Sequence, residues 1–191
     1  DNNLNSSVEG DIAAMEEGLL HTDMHNGNLL VYVDKKGQSP QLLRLVQEGD
    51  SVRRELIEEY VIDHASATAE RLRQVLQQVS DTCPSDRYGL VLWSEGTAWL
   101  PADYKNYLRS FGTDTGNHFM SVNDLTAALS DYHFDFLLFD ACYMASLEVA
   151  YALRHCTDYL IASPTEVLAD GFPYQLFMQD LFTPEANVVD I

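Results

Sequence analysis

Two short, almost wholly apolar runs constrain the fold of this chain most: Tyr88-Gly89-Leu90-Val91-Leu92-Trp93 and Phe134-Asp135-Phe136-Leu137-Leu138-Phe139. Six residues with so little polar content read as strands covered on both faces, as in a parallel sheet. Tyr159-Leu160-Ile161-Ala162-Ser163 reads as a third strand. Helical patterns separate them. Thr68 is a candidate N-cap for a helix with Leu72, Val75, Leu76 and Val79 on one face, stopped at Cys83-Pro84-Ser85-Asp86. Ser121-Val122-Asn123-Asp124 marks a second helix start, before Leu125, Ala128 and Leu129. A third helix follows Cys142, with Met144, Leu147, Ala150 and Tyr151 as inward-facing candidates. Strands alternating with helices imply βαβ units and a mostly parallel α/β sheet.

The N-terminal third opens on a helix with Val8, Ile12, Met15 and Leu19 on one face, ended by Gly27. Strand-like runs follow at Asn28–Asp34, Leu42–Val46 and, half exposed, Val52–Val61. Ser94–Asn117 is a polar, glycine-containing stretch with no clear period. A loop that long in a compact domain is usually functional or cleavable. At 191 residues and 46% hydrophobic content the chain can form one domain that buries about two-thirds of its unfolded surface. No run of 18 apolar residues exists to span a membrane, and the polar start Asp1-Asn2-Asn3-Leu4 is not a signal-peptide core. The formal net charge of −19 disfavours nucleic acid and anionic lipid as partners and favours cationic peptide segments, although it also suits a plain solubilising surface. Three cysteines, Cys83, Cys142 and Cys156, have neither metal-ligand nor disulfide-framework spacing.

In such sheets chemistry gathers at the carboxyl ends of the strands. Those ends carry Trp93-Ser94-Glu95-Gly96, Asp140-Ala141-Cys142 and Ser163-Pro164-Thr165-Glu166. If the strands are neighbours, Glu95, Gly96, Asp140, Cys142 and Ser163 converge on one rim. A cysteine between a strand and a helix has its sulfur near a helix N-terminus, which favours the thiolate. The alternative is a buried, inert thiol, a description that fits Cys83 and Cys156 better.

The segments Leu90–Trp99, Phe134–Tyr151 and Ala162–Glu166 with Asp170-Gly171-Phe172-Pro173-Tyr174 resemble the clostripain family of cysteine peptidases, in the caspase-like clan. The resemblance implies a caspase-like three-layer α/β/α sandwich in a single domain. It also implies that a strand preceding Asp1 and a C-terminal part beyond Ile191 are missing. By the same resemblance Cys142 is the nucleophile, the backbone N–H groups of Gly96 and Cys142 bind the oxyanion, and Asp140, Asp170 and Ser163 belong to the pocket for Arg or Lys before the cut bond. Self-cleavage is implied in the loop after Gly96, at Arg109-Ser110 or at Lys105. No cofactor is implied, calcium being a family possibility without an EF-hand-like loop here, and the location implied is extracellular or cell-envelope.

One position departs from the family pattern. Where the resemblance calls for the catalytic His of a Trp-x-His-Gly motif, this chain has Glu95. An imidazolium beside a thiol stabilises thiolate, whereas a carboxylate raises the thiol pKa. Of the six histidines His118 is the best placed substitute; His133 lies at the wrong end of its strand, and His21, His25, His64 and His155 belong to other elements. Two readings follow: an Arg/Lys-directed cysteine endopeptidase impaired at Glu95, or a pseudopeptidase that binds basic peptide segments or a partner without cutting.

Overall fold

The structure, a computed structural model, describes residues 3–63, 65–94, 96, 111–113, 119–168 and 171–182. Two compact units divide the chain: residues 3–62 with 172–191, and residues 1–2 with 63–171.

In the first unit a 3-10 turn (Asn3–Ser6) leads into α1 (Val8–Leu19), followed by β1 (Leu29–Val33), β2 (Gln41–Glu48), β3 (Ser51–Glu59) and, from the C-terminal segment, α5 (Tyr174–Phe182). The strands pair antiparallel in the order β1-β2-β3. These strands lie outside the expected parallel sheet, and the reason for their antiparallel pairing is local. Two residues, Gly49 (φ +62°) and Asp50, join β2 to β3, and seven join β1 to β2. Neither link is long enough for the crossover a parallel pair requires. Helix α1 buries Val8, Ile12 and Leu19 as its period requires. It is tied to the sheet by Gln47, which donates to the carbonyls of Leu19 and Thr22, and by Arg54, which bonds Glu9 at 2.8 Å and Glu16 at 2.5 Å. The Arg54 guanidinium, helped by Lys35, holds the Glu9 carboxyl down to about 2.

The second unit contains α2 (Ala69–Thr82), β4 (Gly89–Trp93), β5 (Phe111–Thr113), β6 (Phe119–Met120), α3 (Val122–Leu129), β7 (Phe134–Asp140), α4 (Leu147–Leu153) and β8 (Thr157–Ile161). Strands β4, β7 and β8 form the expected parallel sheet with β7 at its centre. Leu137 and Phe139 of β7 are fully buried with Leu125, Leu129, Val149 and Leu153 of the helices. Both expected N-caps are present: Thr68 accepts from the Arg71 N–H, and Ser121 closes a reciprocal capping box with Asp124. Arg71, which the sequence reading does not single out, is buried and bonds Asp63 at 2.8 Å.

Helix α4 departs from expectation. It begins at Leu147 rather than directly after Cys142, with Ser146 as its N-cap. Met144 is buried as expected, but Leu147, Ala150 and Tyr151 face outward, and Val149 and Leu153 fill the core. Tyr143 adopts a left-handed conformation (φ +59°), so the chain turns before the helix starts and the inward stripe shifts by two residues.

Two glycines of α1 make opposite predictions. A methyl at Gly10 meets nothing within 4 Å, while one at Gly18 would lie 2.7 Å from Met178 Cγ and 3.0 Å from Gln175 Cα. Gly10→Ala is expected to raise stability by about 0.5–1 kcal/mol through helix propensity, and Gly18→Ala to lower it by about 1 kcal/mol or more through overpacking, as read by chemical denaturation.

Candidate active site

The parallel register Trp93↔Asp140 aligns the carboxyl ends of β4 and β7, and Leu138↔Ile161 brings β8 to the same rim. The Ser94 N–H extends the ladder by donating to the Asp140 carbonyl at 3.4 Å. Cys142 is therefore two residues past the end of the central strand, half buried, in a turn. Gly96 lies against that turn: a methyl there would sit 2.4 Å from the Cys142 carbonyl oxygen and 3.1 Å from both Ala141 Cβ and Met144 Cγ. Only glycine lets the two backbones approach this closely. Gly96 also forms an antiparallel bridge with Phe111. Phe111 was not singled out in the long polar stretch, yet it is buried edge-on against Phe139 at 5.6 Å.

The Cys142 sulfur does not face a helix N-terminus, as the sequence suggested. It faces the peptide at Val167, whose N–H donates to Sγ at 3.3 Å and whose carbonyl lies at 3.6 Å. The physical reason is the turn at Tyr143, which postpones the helix and directs Cys142 to the loop after β8. That loop runs beside residues 142–145: the Tyr143 N–H donates to the Thr165 carbonyl and the Ala145 N–H to the Ser163 carbonyl, both at 3.0 Å. Ser163 Oγ accepts from the Thr165 N–H at 3.1 Å. The Tyr143 hydroxyl donates to Glu166 at 3.0 Å, which pushes the phenol pKa up. Glu166 belongs to the segment read at the carboxyl end of the third strand, but its bond to Tyr143 and the contact at Val167 were not foreseen; no local pattern in the sequence marks a non-glycine left-handed turn.

Asp140 is 3% exposed. Gly171, with φ +63°, passes so close that a methyl on it would lie 2.7 Å from Asp140 Oδ2 and 3.2 Å from Trp93 Nε1. Asp170, the preceding residue, lies outside the described residues, as do Glu95, Lys105 and Arg109. The other two thiols, Cys83 and Cys156, are buried and free, and burial raises the Cys156 pKa. Among the described residues no group of three or more His, Cys, Asp or Glu could hold a metal ion, and no helix is long and apolar enough to cross a membrane.

The model of the clostripain family matches residues 1–191. The chain belongs to the clostripain family. Among solved structures it is similar to an inactive zymogen C11 protease from Parabacteroides distasonis, with 51% identity and a TM-score of 0.89 over the whole of this chain and 53% of that one. It is also similar to a secreted C11 cysteine protease from Bacteroides thetaiotaomicron in complex with an irreversible peptide inhibitor (42% identity, TM-score 0.90, 100% of this chain and 53% of that one). A second secreted C11 cysteine protease from Bacteroides thetaiotaomicron, iotapain, matches at 28% identity and a TM-score of 0.84 over 98% of this chain and 56% of that one. The chain thus spans about half the length of these C11 proteases, and it has their α/β caspase-like fold. No curated protein matches it.

Within this clostripain-family rim the described histidines of the same unit are badly placed. His133 precedes β7, and six strand steps put the far end of β7 roughly 20 Å away. There His133 bonds Asp158 at 3.0 Å, and the His155 carbonyl lies 3.4 Å from its other nitrogen. His64 and His118 fall outside the described residues.

Two measurements check this geometry. Gly96→Ala is expected to cost about 1–3 kcal/mol in thermal denaturation, because its methyl meets backbone rather than a flexible side chain. The Asp158 carboxylate raises the His133 pKa above 6.5, so the pair stabilises the fold at pH below 6.5 and that stabilisation is lost as pH rises through the raised value. An NMR titration is expected to show His133 above 6.5 and Asp158→Asn returning it toward that value.

Proposed function

We propose that this chain is a clostripain-type cysteine endopeptidase domain directed to Arg or Lys before the scissile bond, with turnover impaired by Glu95. The observation that carries this reading is the meeting of Gly96 and Cys142 at the carboxyl ends of β4 and β7. In the reaction Cys142 Sγ, once deprotonated, attacks the carbonyl carbon. The oxyanion receives the N–H groups of Gly96 and Cys142. Collapse breaks the C–N bond, the amine leaves with a proton, and water hydrolyses the resulting thioester. The buried Asp140 carboxylate, with Asp170 bonded to the Gly171 that passes against it, supports a pocket for a guanidinium or ammonium held by charge-assisted hydrogen bonds. Ser163, in the loop beside Cys142, is its third member.

Glu95 occupies the position of the proton acceptor, bonded to Ser94 and Gly96. A carboxylate there brings no positive charge to support a thiolate, as an imidazolium would. That one residue favours a second reading, a pseudopeptidase that binds basic peptide segments or a protein partner without cutting. Export, as for the secreted Bacteroides thetaiotaomicron relative, and processing after Arg109 or Lys105 belong to the same proposal.

A fluorogenic Arg peptide and an Arg-directed thiol-reactive probe separate the readings. Glu95→His is expected to raise turnover on the order of a thousandfold or more, and Cys142→Ala in that background to abolish it. The Glu95→His chain is also expected to be cut after Arg109 or Lys105, seen as two fragments by mass spectrometry. If Glu95→His neither cleaves the peptide nor takes up the probe, the endopeptidase reading falls.

A further inference from the structure

The loop after β8 is fastened to the turn after β7 by three rungs: Ala145 N–H to Ser163 carbonyl, Tyr143 N–H to Thr165 carbonyl, and Val167 N–H to Cys142 Sγ. Between the second and third rungs lies one side-chain bond, Tyr143 hydroxyl to Glu166 Oε1 at 3.0 Å. We propose that Tyr143 and Glu166 are positioning residues that clamp the 163–168 loop onto the turn and so hold the Val167 N–H against the Cys142 sulfur. The inference rests on reading Cys142 as the nucleophile.

Three observations carry it. Tyr143 adopts φ +59°, a conformation that is unfavourable for a side chain with a Cβ and that persists only where the surroundings enforce it. The hydrogen bonds from its N–H and its hydroxyl, to consecutive residues Thr165 and Glu166, supply that enforcement. Val167 follows directly, so the clamp fixes the peptide plane that meets Sγ. A backbone N–H pointing at sulfur favours thiolate, whereas the carbonyl contact, longer at 3.6 Å, favours the thiol. Releasing the loop takes the Val167 N–H, the shorter of the two contacts, away from the sulfur. Tyr143 interacts electrostatically with Cys142 and hydrogen-bonds Glu166, and Asp140 lies two residues before Cys142 in the chain.

The two partners separate cleanly. Tyr143→Phe removes the hydroxyl and keeps both the ring and the Glu166 charge. Glu166→Ala removes the acceptor together with its charge, and charge loss alone would lower the Cys142 pKa. Glu166→Gln keeps an acceptor oxygen for the hydroxyl while removing the charge.

The test is the pH profile of Cys142 alkylation by iodoacetamide, read on the Cys142 peptide by mass spectrometry. The expected result is that Tyr143→Phe raises the apparent Cys142 pKa by about half to one unit, a three- to tenfold slower reaction at pH 7. Glu166→Gln, with the clamp intact, leaves the pKa unchanged or lowers it. Glu166→Ala lies above Glu166→Gln by a shift of the size seen for Tyr143→Phe. Melting temperatures serve as the folding control. Equal profiles for wild type and Tyr143→Phe, or for Glu166→Gln and Glu166→Ala, overturn the clamp, as does a Cys142 unreactive up to pH 10 in every form. Alkylation needs no turnover, so the clamp stands or falls separately from the peptidase reading, which peptide cleavage tests.

Discussion

The close backbone approach between Gly96 and the turn Ala141-Cys142 is the contact on which the rest of the site depends. It requires β4 and β7 to be adjacent, parallel and in the register Trp93↔Asp140, so that both chains leave the sheet at one level. It also requires a residue without Cβ, because a methyl at position 96 would fall 2.4 Å from the Cys142 carbonyl oxygen. Hydrophobic burial sets the register. Leu137 and Phe139 are fully covered, and a slip of one residue would turn the Asp140 carboxylate to the face they fill. The core of β7 thus fixes where Cys142 emerges, although no core side chain takes part in the chemistry proposed there.

That separation bears on the two functional readings. Leu125, Leu129, Leu137, Phe139, Val149 and Leu153 pack together as the core of this unit, and on the proposed reading a His or a Glu at position 95 is carried by the same scaffold. What changes is the electrostatics beside a thiol. An imidazole can take the proton and then, as imidazolium, stabilise the thiolate it has produced. A carboxylate that accepts the proton must first lose its own hydration and offers no positive charge in return. On the proposed reading, substrate recognition through Asp140 survives this change, and the rate does not.

The parallel sheet was legible because its strands are uninterrupted apolar runs, and the rim followed from where those runs stop. Cys142, Gly96, Asp140 and Ser163 could accordingly be assembled from sequence by topology. The strands of the N-terminal unit were legible as strand-like runs, but their antiparallel pairing through the two-residue link Gly49-Asp50 was not read. The orientation of α4 was not legible. A seven-residue helix reading Leu-Glu-Val-Ala-Tyr-Ala-Leu offers two apolar stripes, and only the left-handed residue Tyr143 selects between them. Arg71 was missed for a related reason: its guanidinium is buried because Asp63, eight residues earlier, is brought to it by a loop.

The same left-handed residue explains why the sulfur has a different electrostatic partner from the one the sequence suggested. A helix beginning at Cys142 would have offered several unpaired N–H groups and the positive end of its dipole. With the helix postponed to Leu147, a single peptide, that of Val167, takes over this role, and it belongs to a different strand connection. A helix dipole is fixed by the covalent chain, whereas a loop peptide is held only as firmly as its own hydrogen bonds. The environment of Cys142 therefore depends on Tyr143 and on the residues that bind it, Thr165 and Glu166. On the proposed reading, displacing this loop takes the N–H donor away from a sulfur that must become a thiolate. A site of this design works best with a proton acceptor that becomes positively charged, the one property that residue 95 lacks.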